Sequence, residues 1–298
     1  MNKLEVISIE TLPVDPCSLG EGPTWHEPEQ SFYWVDILKN RLHNWHPIKQ
    51  THRSWTFEKM IGCVGVCESG KLIIALSNEI IFFEPDLGMP SRKQLCLLDE
   101  DIPANRANDG KIDPWGRLFV GTMSTIDGKA TGRLSCIDSN GHKITIEENI
   151  GISNTLAWSA DKTKFYFADS TKQTIWEYPL DTNGLPIAKQ KKVFIQTEIE
   201  SGAPDGSSID NHDNLWNAQW NNARVQCFNP QGDLIDELHL PASLTTSVCF
   251  GGDDYQTMYI TTASIGLSEQ DLNDKPESGK VFLVKTNIKG PQINVFKD

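Results

Sequence analysis

Apolar and aromatic residues fall in short runs along the chain, and glycine, asparagine, aspartate and proline separate these runs. This pattern is typical of β-strands that are joined by tight turns. No long stretch shows the 3.6-residue periodicity of an amphipathic helix. We therefore predict an all-β protein.

One motif occurs six times: an apolar strand, a polar turn and a second apolar strand centred on a mostly aromatic or aliphatic triplet. The centres are residues 33–35, 73–75, 119–121, 166–168, 216–218 and 259–261. Their last residues lie 40, 46, 47, 50 and 43 positions apart. Because a propeller blade has a period of roughly 40 to 50 residues, we predict a six-bladed β-propeller that forms a single domain over residues 1–298. The alternative is a large sandwich or barrel in which similar hairpins arise from β-rich composition alone.

The first residues of the chain have a place in this architecture. Residues 1–15 contain an alternating run from Leu4 to Leu12. An unpaired edge strand promotes aggregation. We expect this N-terminal strand to pair with the last blade and close the ring.

The repeat also predicts which residues face the central channel, because the innermost strand of each propeller blade lines it. The first strands align on Trp25, Val66, Ile112, Trp158, Ile209 and Phe250. The positions four residues earlier are Glu21, Gly62, Asn108, Asn154, Asp205 and Thr246. Five of these six side chains carry oxygen, and burying them is costly unless something pairs with them.

A hard divalent cation would pair with such a ring, because carboxylate and amide oxygens are its preferred ligands. The ring contains no histidine or cysteine, which argues against a structural zinc site. The alternative is that asparagine and aspartate occur here as turn residues at the starts of strands. Glu21 does not fit that alternative, because glutamate is a poor turn residue.

Arg106 lies two residues before Asn108. A guanidinium offers donors in a fork, so a fixed arginine here suits a polar or acidic ligand group. The alternative is a solvated loop arginine.

The charge balance excludes some partners. The chain has 27 basic and 40 acidic residues, a formal net charge of -13 and no basic run. An electrostatically driven nucleic-acid or acidic-membrane partner is therefore not expected. Glu5 and Glu10 interrupt the N-terminal stretch where a signal peptide would need continuous apolar residues. No apolar run elsewhere approaches the ~18 residues of a membrane span. We expect a cytoplasmic protein, and a monomer because closed propellers expose few strand edges.

The seven cysteines are dispersed and form no Cys-x-x-Cys pair. Neither a disulfide framework nor a cysteine zinc site is indicated. We expect most of them to be reduced, buried thiols.

Several motifs carry a family resemblance. They are Leu-Gly-Glu-Gly-Pro-Thr-Trp at 19–25 with Tyr-Trp-Val-Asp at 33–36, Asn-Arg-Ala-Asn-Asp-Gly-Lys at 105–111, Ser-Asn-Thr-Leu-Ala-Trp at 153–158, Pro-Asp-Gly at 204–206 and Phe-Gly-Gly at 250–252. In this order, over about residues 15 to 285, the chain resembles the regucalcin (senescence marker protein)/gluconolactonase family.

The resemblance implies a six-bladed propeller that binds one divalent cation in its central channel, in a family whose members include sugar lactonases. It implies metal ligands at Glu21, Asn154 and Asp205, and sugar contacts at Arg106 and Asn108. Ca²⁺ is the expected ion, and Zn²⁺, Mg²⁺, Mn²⁺ and Fe²⁺ are alternatives. The ring of oxygen-bearing positions and the resemblance thus indicate the same metal ligands.

The chain departs from the family pattern at three places. Thr155 stands where glycine is common, Ala107 where an aromatic residue is frequent, and residues 124–126 lack the acidic sugar-binding residue that often follows there. The expected metal ligands are intact, whereas the expected sugar contacts are not. The identity of the bound lactone stays open.

These observations predict a divalent-metal-dependent, gluconolactonase-like lactonase that hydrolyses an aldonolactone to the aldonic acid. The cation would act as a Lewis acid on the lactone carbonyl. Asp205 is the expected general base toward water, on the assumption that a turn places it beside the ligand of Arg106. The alternatives are a metal-dependent hydrolase of another lactone or a phosphotriester, and a non-catalytic calcium-binding protein like regucalcin.

Overall fold

Six four-stranded antiparallel sheets follow one another along residues 3–298, which are the residues that this computed structural model describes. The sheets are arranged as the blades of a β-propeller. The predicted all-β, six-bladed architecture is confirmed, and the sandwich or barrel alternative is wrong.

The strands have the following bounds. The innermost strands are β2 (Gly20–His26), β6 (Ile61–Val66), β10 (Asn105–Ile112), β14 (Ser153–Trp158), β18 (Ala203–Ile209) and β22 (Leu244–Gly251). The second strands are β3 (Ser31–Asp36), β7 (Leu72–Leu76), β11 (Leu118–Ser124), β15 (Lys164–Asp169), β19 (Leu215–Trp220) and β23 (Thr257–Ala263). The third strands are β4 (Arg41–His46), β8 (Glu79–Phe83), β12 (Gly132–Ile137), β16 (Thr174–Pro179), β20 (Arg224–Phe228) and β24 (Phe282–Thr286). The outer strands are β5 (Thr51–Thr56), β9 (Lys93–Leu97), β13 (Lys143–Ile150), β17 (Lys192–Gln196), β21 (Leu234–His239) and β1 (Val6–Thr11).

Each triplet that defines the sequence repeat lies in a second strand. The apolar side chains of these strands pack between neighbouring blades. Blades 1 and 6, for example, meet where Phe32 stacks on Tyr259 with ring centroids 4.4 Å apart. The sequence repeat therefore marks the interfaces between blades.

The sixth blade combines the two ends of the chain. Its strand order is β1-β24-β23-β22, with β1 antiparallel to β24. A short helix, α1 (Glu269–Asp274), lies between β23 and β24 and begins with a capping box formed by Ser268 and Asp271. Six residues are too few to show helical periodicity in the sequence. No helix among residues 3–298 is long and apolar enough to cross a membrane.

All six innermost strands share an irregularity at the same level of the channel. The pairing register shifts between Glu21 and Thr24, Ile61 and Cys63, Ala107 and Gly110, Asn154 and Ala157, Pro204 and Ser207, and Thr245 and Ser247. A bulge locally bends a strand and redirects its side chains, and bulges are frequent next to active sites. The shifts thus define one ring of bulges around the channel.

The last residues of the chain close the opposite end of the channel. We name residues 288–298 the C-terminal strap. Its backbone pairs with Val66, Gly116, Asn211 and Tyr255, all at or after the far ends of innermost strands in four different blades. Phe296 is fully buried within the strap. The strap therefore joins separate blades on the side away from the ring of bulges.

All seven cysteines are free, and six of them are buried. This agrees with the expectation of reduced, buried thiols.

Candidate functional site

The ring of bulges brings the predicted site residues to one level of the channel. Glu21 and Asn154 are the last paired residues before a register shift, and Asn108 and Asp205 lie within one. All four side chains are buried. Each of the four residues lies inside a strand. The alternative that the ring consists of turn residues is therefore wrong. The expectation that Asp205 lies in a turn is wrong as well.

Glu21 and Asp205 lie close enough to each other that each alters the pKa of the other's carboxyl group. Burial, together with the negative charge of Asp109, raises the pKa of Glu21 to about 8. Burial, Glu21 and Asp109 raise the pKa of Asp205 well above its usual range. Without a compensating positive charge, these carboxylates hold a proton at pH values where exposed carboxylates have lost theirs.

The amide of Asn154 is oriented by its neighbours. Ser170 donates its hydroxyl hydrogen to the carbonyl of Pro204 at 2.7 Å, so its oxygen accepts from Asn154 Nδ2 at 2.8 Å. Oδ1 of Asn154 is thereby left on the side of Asn108, whose Nδ2 lies 3.3 Å away. The network presents an oxygen toward the other ring residues.

Arg106 lies on β10 and is only 9% exposed, so it is not a solvated loop arginine. Its Nη1 donates to the carbonyl of Ala107 and to Oδ1 of Asn108, both at 2.9 Å. Among residues 3–298 these are the only groups that accept from its guanidinium. Burial lowers the pKa of Arg106 to about 10, while Glu21 acts in the opposite direction, so the group stays charged at neutral pH. Nε and Nη2 remain available to a ligand.

Both polar atoms of the Asn108 side chain already have hydrogen-bond partners within the protein. Its Oδ1 accepts from Arg106, and its Nδ2 donates to the carbonyl of Ser153 at 3.0 Å as well as lying near Asn154. The amide therefore bridges Arg106 and Asn154. It holds two predicted site residues at a fixed separation and has one acceptor lone pair left for a ligand.

Two charged residues of the site were not assigned a role from the sequence. Asp109 is buried, and burial raises its pKa to about 6 while Lys111 acts in the opposite direction. Lys111 reaches across the channel from blade 3 and donates to the carbonyl of Ser207 in blade 5. Both residues belong to the motif at 105–111, but only the fold shows that they face the channel beneath Glu21.

When all its carboxyl groups are ionised, the charges at this level do not balance. Glu21, Asp109 and Asp205 contribute three buried carboxyl groups, whereas Arg106 and Lys111 contribute two cations. A buried charge without a partner is strongly unfavourable. A divalent cation would reverse the imbalance, and the oxygen-only donors Glu21, Asn154 and Asp205 suit a hard ion. Within the described part of the chain no three His, Cys, Asp or Glu side chains cluster as a metal site. A cation held by Glu21 and Asp205 would therefore take a third ligand of another type, such as the amide oxygen of Asn154.

The channel continues beyond this level. A cavity of about 270 Å³ lies between the charged residues and the C-terminal strap, and its lining includes Lys111, Trp158, Cys249 and Ile293. The polar ring therefore forms one end of the channel, and a mixed chamber capped by the strap forms the other.

Comparisons with known proteins agree with this architecture. A family model described as the SMP-30/gluconolactonase/LRE-like region matches residues 19–264. The 6-deoxy-6-sulfogluconolactonase of Pseudomonas putida is 34% identical over 276 residues, covering 92% of this chain and 94% of that protein. Regucalcin of Danio rerio is 34% identical over 284 residues, covering 93% and 94%. The crystal structure of regucalcin from Agrobacterium tumefaciens, a calcium-binding protein, has a TM-score of 0.92 at 27% identity over 97% of each chain.

Proposed function

Because the chain belongs to the SMP-30/gluconolactonase/LRE-like family, we propose that it is a divalent-metal-dependent lactonase that hydrolyses a sugar lactone to the corresponding aldonic acid. The observation that carries this proposal is the excess of buried carboxylate at one level of the channel, next to a buried arginine with free donors. A relative named as a sugar lactonase, similar over nearly its whole length, supports the same substrate class.

Glu21, Asn154 and Asp205 would hold the cation. When bound, it would supply Lewis-acid polarisation of the lactone carbonyl. Ca²⁺ is the ion we propose, since the donors are all oxygen and a regucalcin of nearly the same fold is described as calcium-binding.

Arg106 would bind the substrate through Nε and Nη2, because Nη1 is already occupied by Ala107 and Asn108. A planar fork of donors matches paired oxygens, such as neighbouring hydroxyls of a sugar ring. Asn108 would hold this guanidinium at a constant distance from Asn154. Substrate orientation would thus be coupled to the position of the metal ligands.

Asp205 would accept a proton from the attacking water. Its carboxyl faces Glu21, and its backbone is fixed by hydrogen bonds from Thr155 and Asn217 to its carbonyl. A fixed carboxylate within reach of water is the geometry that general-base catalysis needs. Lys111 and Arg106 would favour the ionised form of the carboxyl cluster.

The loops around the site end favour a neutral substrate. Taken together, residues 98–104, 125–131 and 264–281 carry eight acidic and three basic side chains. Like charges in a cleft reduce the local concentration of an anionic ligand. We therefore propose that an uncharged aldonolactone is hydrolysed faster than one that bears a sulfonate.

The test is a hydrolysis assay with a pH indicator on metal-stripped protein. Aldono-1,4-lactones and aldono-1,5-lactones, with and without a sulfonate, are each tested with Ca²⁺, Mg²⁺, Mn²⁺, Zn²⁺ or Fe²⁺ added back singly. Rates are corrected for spontaneous hydrolysis. We expect turnover that a chelator removes and a cation restores. Cation binding without turnover of any lactone would contradict the proposal and favour a calcium-binding role, as the regucalcin from Agrobacterium tumefaciens is described.

A further inference from the structure

Thr155 has an unfavourable backbone conformation. It is fully buried in β14, directly after Asn154, and its φ is +54°. Positive φ is a genuine outlier for a β-branched residue, because the side chain crowds the backbone. At the same repeat position in blade 1, directly after Glu21, the chain has Gly22 with φ +55°. The two blades therefore adopt one conformation, with glycine in one and threonine in the other.

The hydroxyl of Thr155 makes contacts that a glycine could not. Oγ1 donates to the backbone carbonyl of Asp205 at 2.6 Å. Oγ1 also accepts from Ser207 Oγ at 3.2 Å and from Asn217 Nδ2 at 3.0 Å. The same Asn217 nitrogen lies 2.9 Å from the Asp205 carbonyl. Thr155 thus lies on the short path between Asn154 and Asp205.

The hydrogen bonds around Thr155 hold its strained backbone in place. Strained backbone persists where the surrounding structure holds it in place, and such positions cluster at functional sites. Here the surrounding structure is the buried group of Thr155, Ser207 and Asn217, and what it fixes is the peptide that carries Asp205.

We propose that Thr155 is a positioning residue that sets the separation of the Asn154 and Asp205 side chains and thereby strengthens cation binding. The inference rests on the metal site of the proposed function, and it does not depend on the lactone. The residues that orient metal ligands typically change metal affinity by 10-fold to 100-fold when they are replaced.

Three variants separate the hydroxyl from the backbone effect. Thr155→Val keeps the shape and removes the hydroxyl, Thr155→Ser keeps the hydroxyl, and Thr155→Gly removes both the hydroxyl and the strain. Thr174→Val is the matched control, since Thr174 is a buried residue of the same blade whose hydroxyl donates to the carbonyl of Lys172 at 2.7 Å. Calorimetric titration of metal-stripped protein with Ca²⁺ alone measures affinity without any substrate.

We expect Thr155→Val to weaken Ca²⁺ binding by about 10-fold to 100-fold, and Thr155→Ser to retain the wild-type affinity. Thr174→Val should change thermal stability but not Ca²⁺ affinity. With a lactone substrate, Thr155→Val should lower kcat at subsaturating Ca²⁺ and recover as Ca²⁺ is raised, with KM unchanged. A purely structural role would not give this recovery.

Unchanged Ca²⁺ affinity in Thr155→Val would overturn the inference, as would an equal loss in Thr155→Ser. If Thr155→Val does not fold, Thr155→Gly decides, because relief of the strain should let it fold while the absent hydroxyl still weakens binding. Wild-type protein that binds no cation would also overturn the inference. Wild-type protein that binds Ca²⁺ but hydrolyses no lactone would contradict the proposed function and leave the role of Thr155 intact.

Discussion

The two ends of the central channel are built on opposite principles. At one end Glu21, Asp109 and Asp205 are buried close together, and burial raises the pKa of each. At the other end the C-terminal strap pairs its backbone with several blades and buries Phe296 completely. One end accumulates unfavourable charge, whereas the other consists of satisfied backbone and apolar contact.

This difference separates function from stability within one channel. Buried carboxylates that repel one another are unfavourable for the folded chain but ready to receive a cation. Buried aromatic rings and paired backbone stabilise the chain without offering any chemistry. We therefore expect changes at the site end to affect ligand binding, and changes at the strap to affect folding.

Asp205→Asn should give the largest effect on activity. Loss of a ligand and proposed base should lower kcat/KM by about 10³-fold or more, or about 4 kcal/mol in transition-state stabilisation. Because one of the mutually repelling carboxylates is removed, the metal-free protein should not lose stability. Lactone hydrolysis and urea unfolding in chelator measure the two quantities. The control is Asp86→Asn, an exposed carboxylate, and a variant of Asp205 with wild-type turnover would refute its assigned role.

Phe296→Ala should have the opposite profile. Replacing a fully buried phenylalanine by alanine typically lowers the free energy of unfolding by about 3–5 kcal/mol. Ca²⁺ affinity at a temperature where the variant is folded should equal that of the wild type. Ile48→Ala, at a side chain that is 73% exposed, is the control and should leave stability nearly unchanged. A large loss of Ca²⁺ affinity in Phe296→Ala would show that the two ends are not separate.

Arg106→Lys should raise KM for the lactone by about tenfold, because a lysine keeps the charge but lacks the planar fork. Retaining the charge preserves the effect of Arg106 on Glu21. Ca²⁺ affinity should therefore change little, and steady-state kinetics with calorimetry measure both. An unchanged KM would place the substrate elsewhere in the channel.

The pH dependence of the free energy of unfolding should depend on the groups at the site end and not on the strap. In the metal-free protein Glu21 has a pKa of about 8, against 4.5 for its usual value. Between pH 6.5 and 8 the folded state therefore holds a proton that the unfolded state has released, so its stability falls as pH rises. Urea unfolding in chelator at pH 6.5 and 8 should show this loss. This fall in stability with pH should persist in Phe296→Ala and be smaller in Asp205→Asn. Saturating Ca²⁺ should also reduce it, since the cation competes with the proton.

Much of the site was accessible from the sequence because a propeller converts sequence period into position. Equivalent positions in successive blades lie at one level of the channel, so Glu21, Asn108, Asn154 and Asp205 could be placed together by counting. The local conformation was harder to predict. The turn expected at Asp205 is a bulged strand, because bulges depend on pairing with the next strand and not on turn residues alone.

The two ends of the chain differ in how far their structure could be predicted from the sequence. Alternation from Leu4 to Leu12 predicted an edge strand, and the structure pairs β1 with β24. The C-terminal strap gave no such signal, since its apolar residues do not alternate regularly and its residues form no regular strand. Helix α1 could not be predicted from the sequence either, because it is polar and only six residues long.

The number of blades, the level of the ring and the kind of side chain at each ring position follow from the sequence alone, because they depend on local alternation and on a repeat period. Other features appear only in the folded ring. Asp109 and Lys111 face the channel, the carboxyl groups of Glu21 and Asp205 alter each other's pKa, and Thr155 adopts positive φ while it holds the Asp205 peptide. These features join residues from different blades. Their energies depend on burial and on distances between groups far apart in the chain, which arise only when the ring closes.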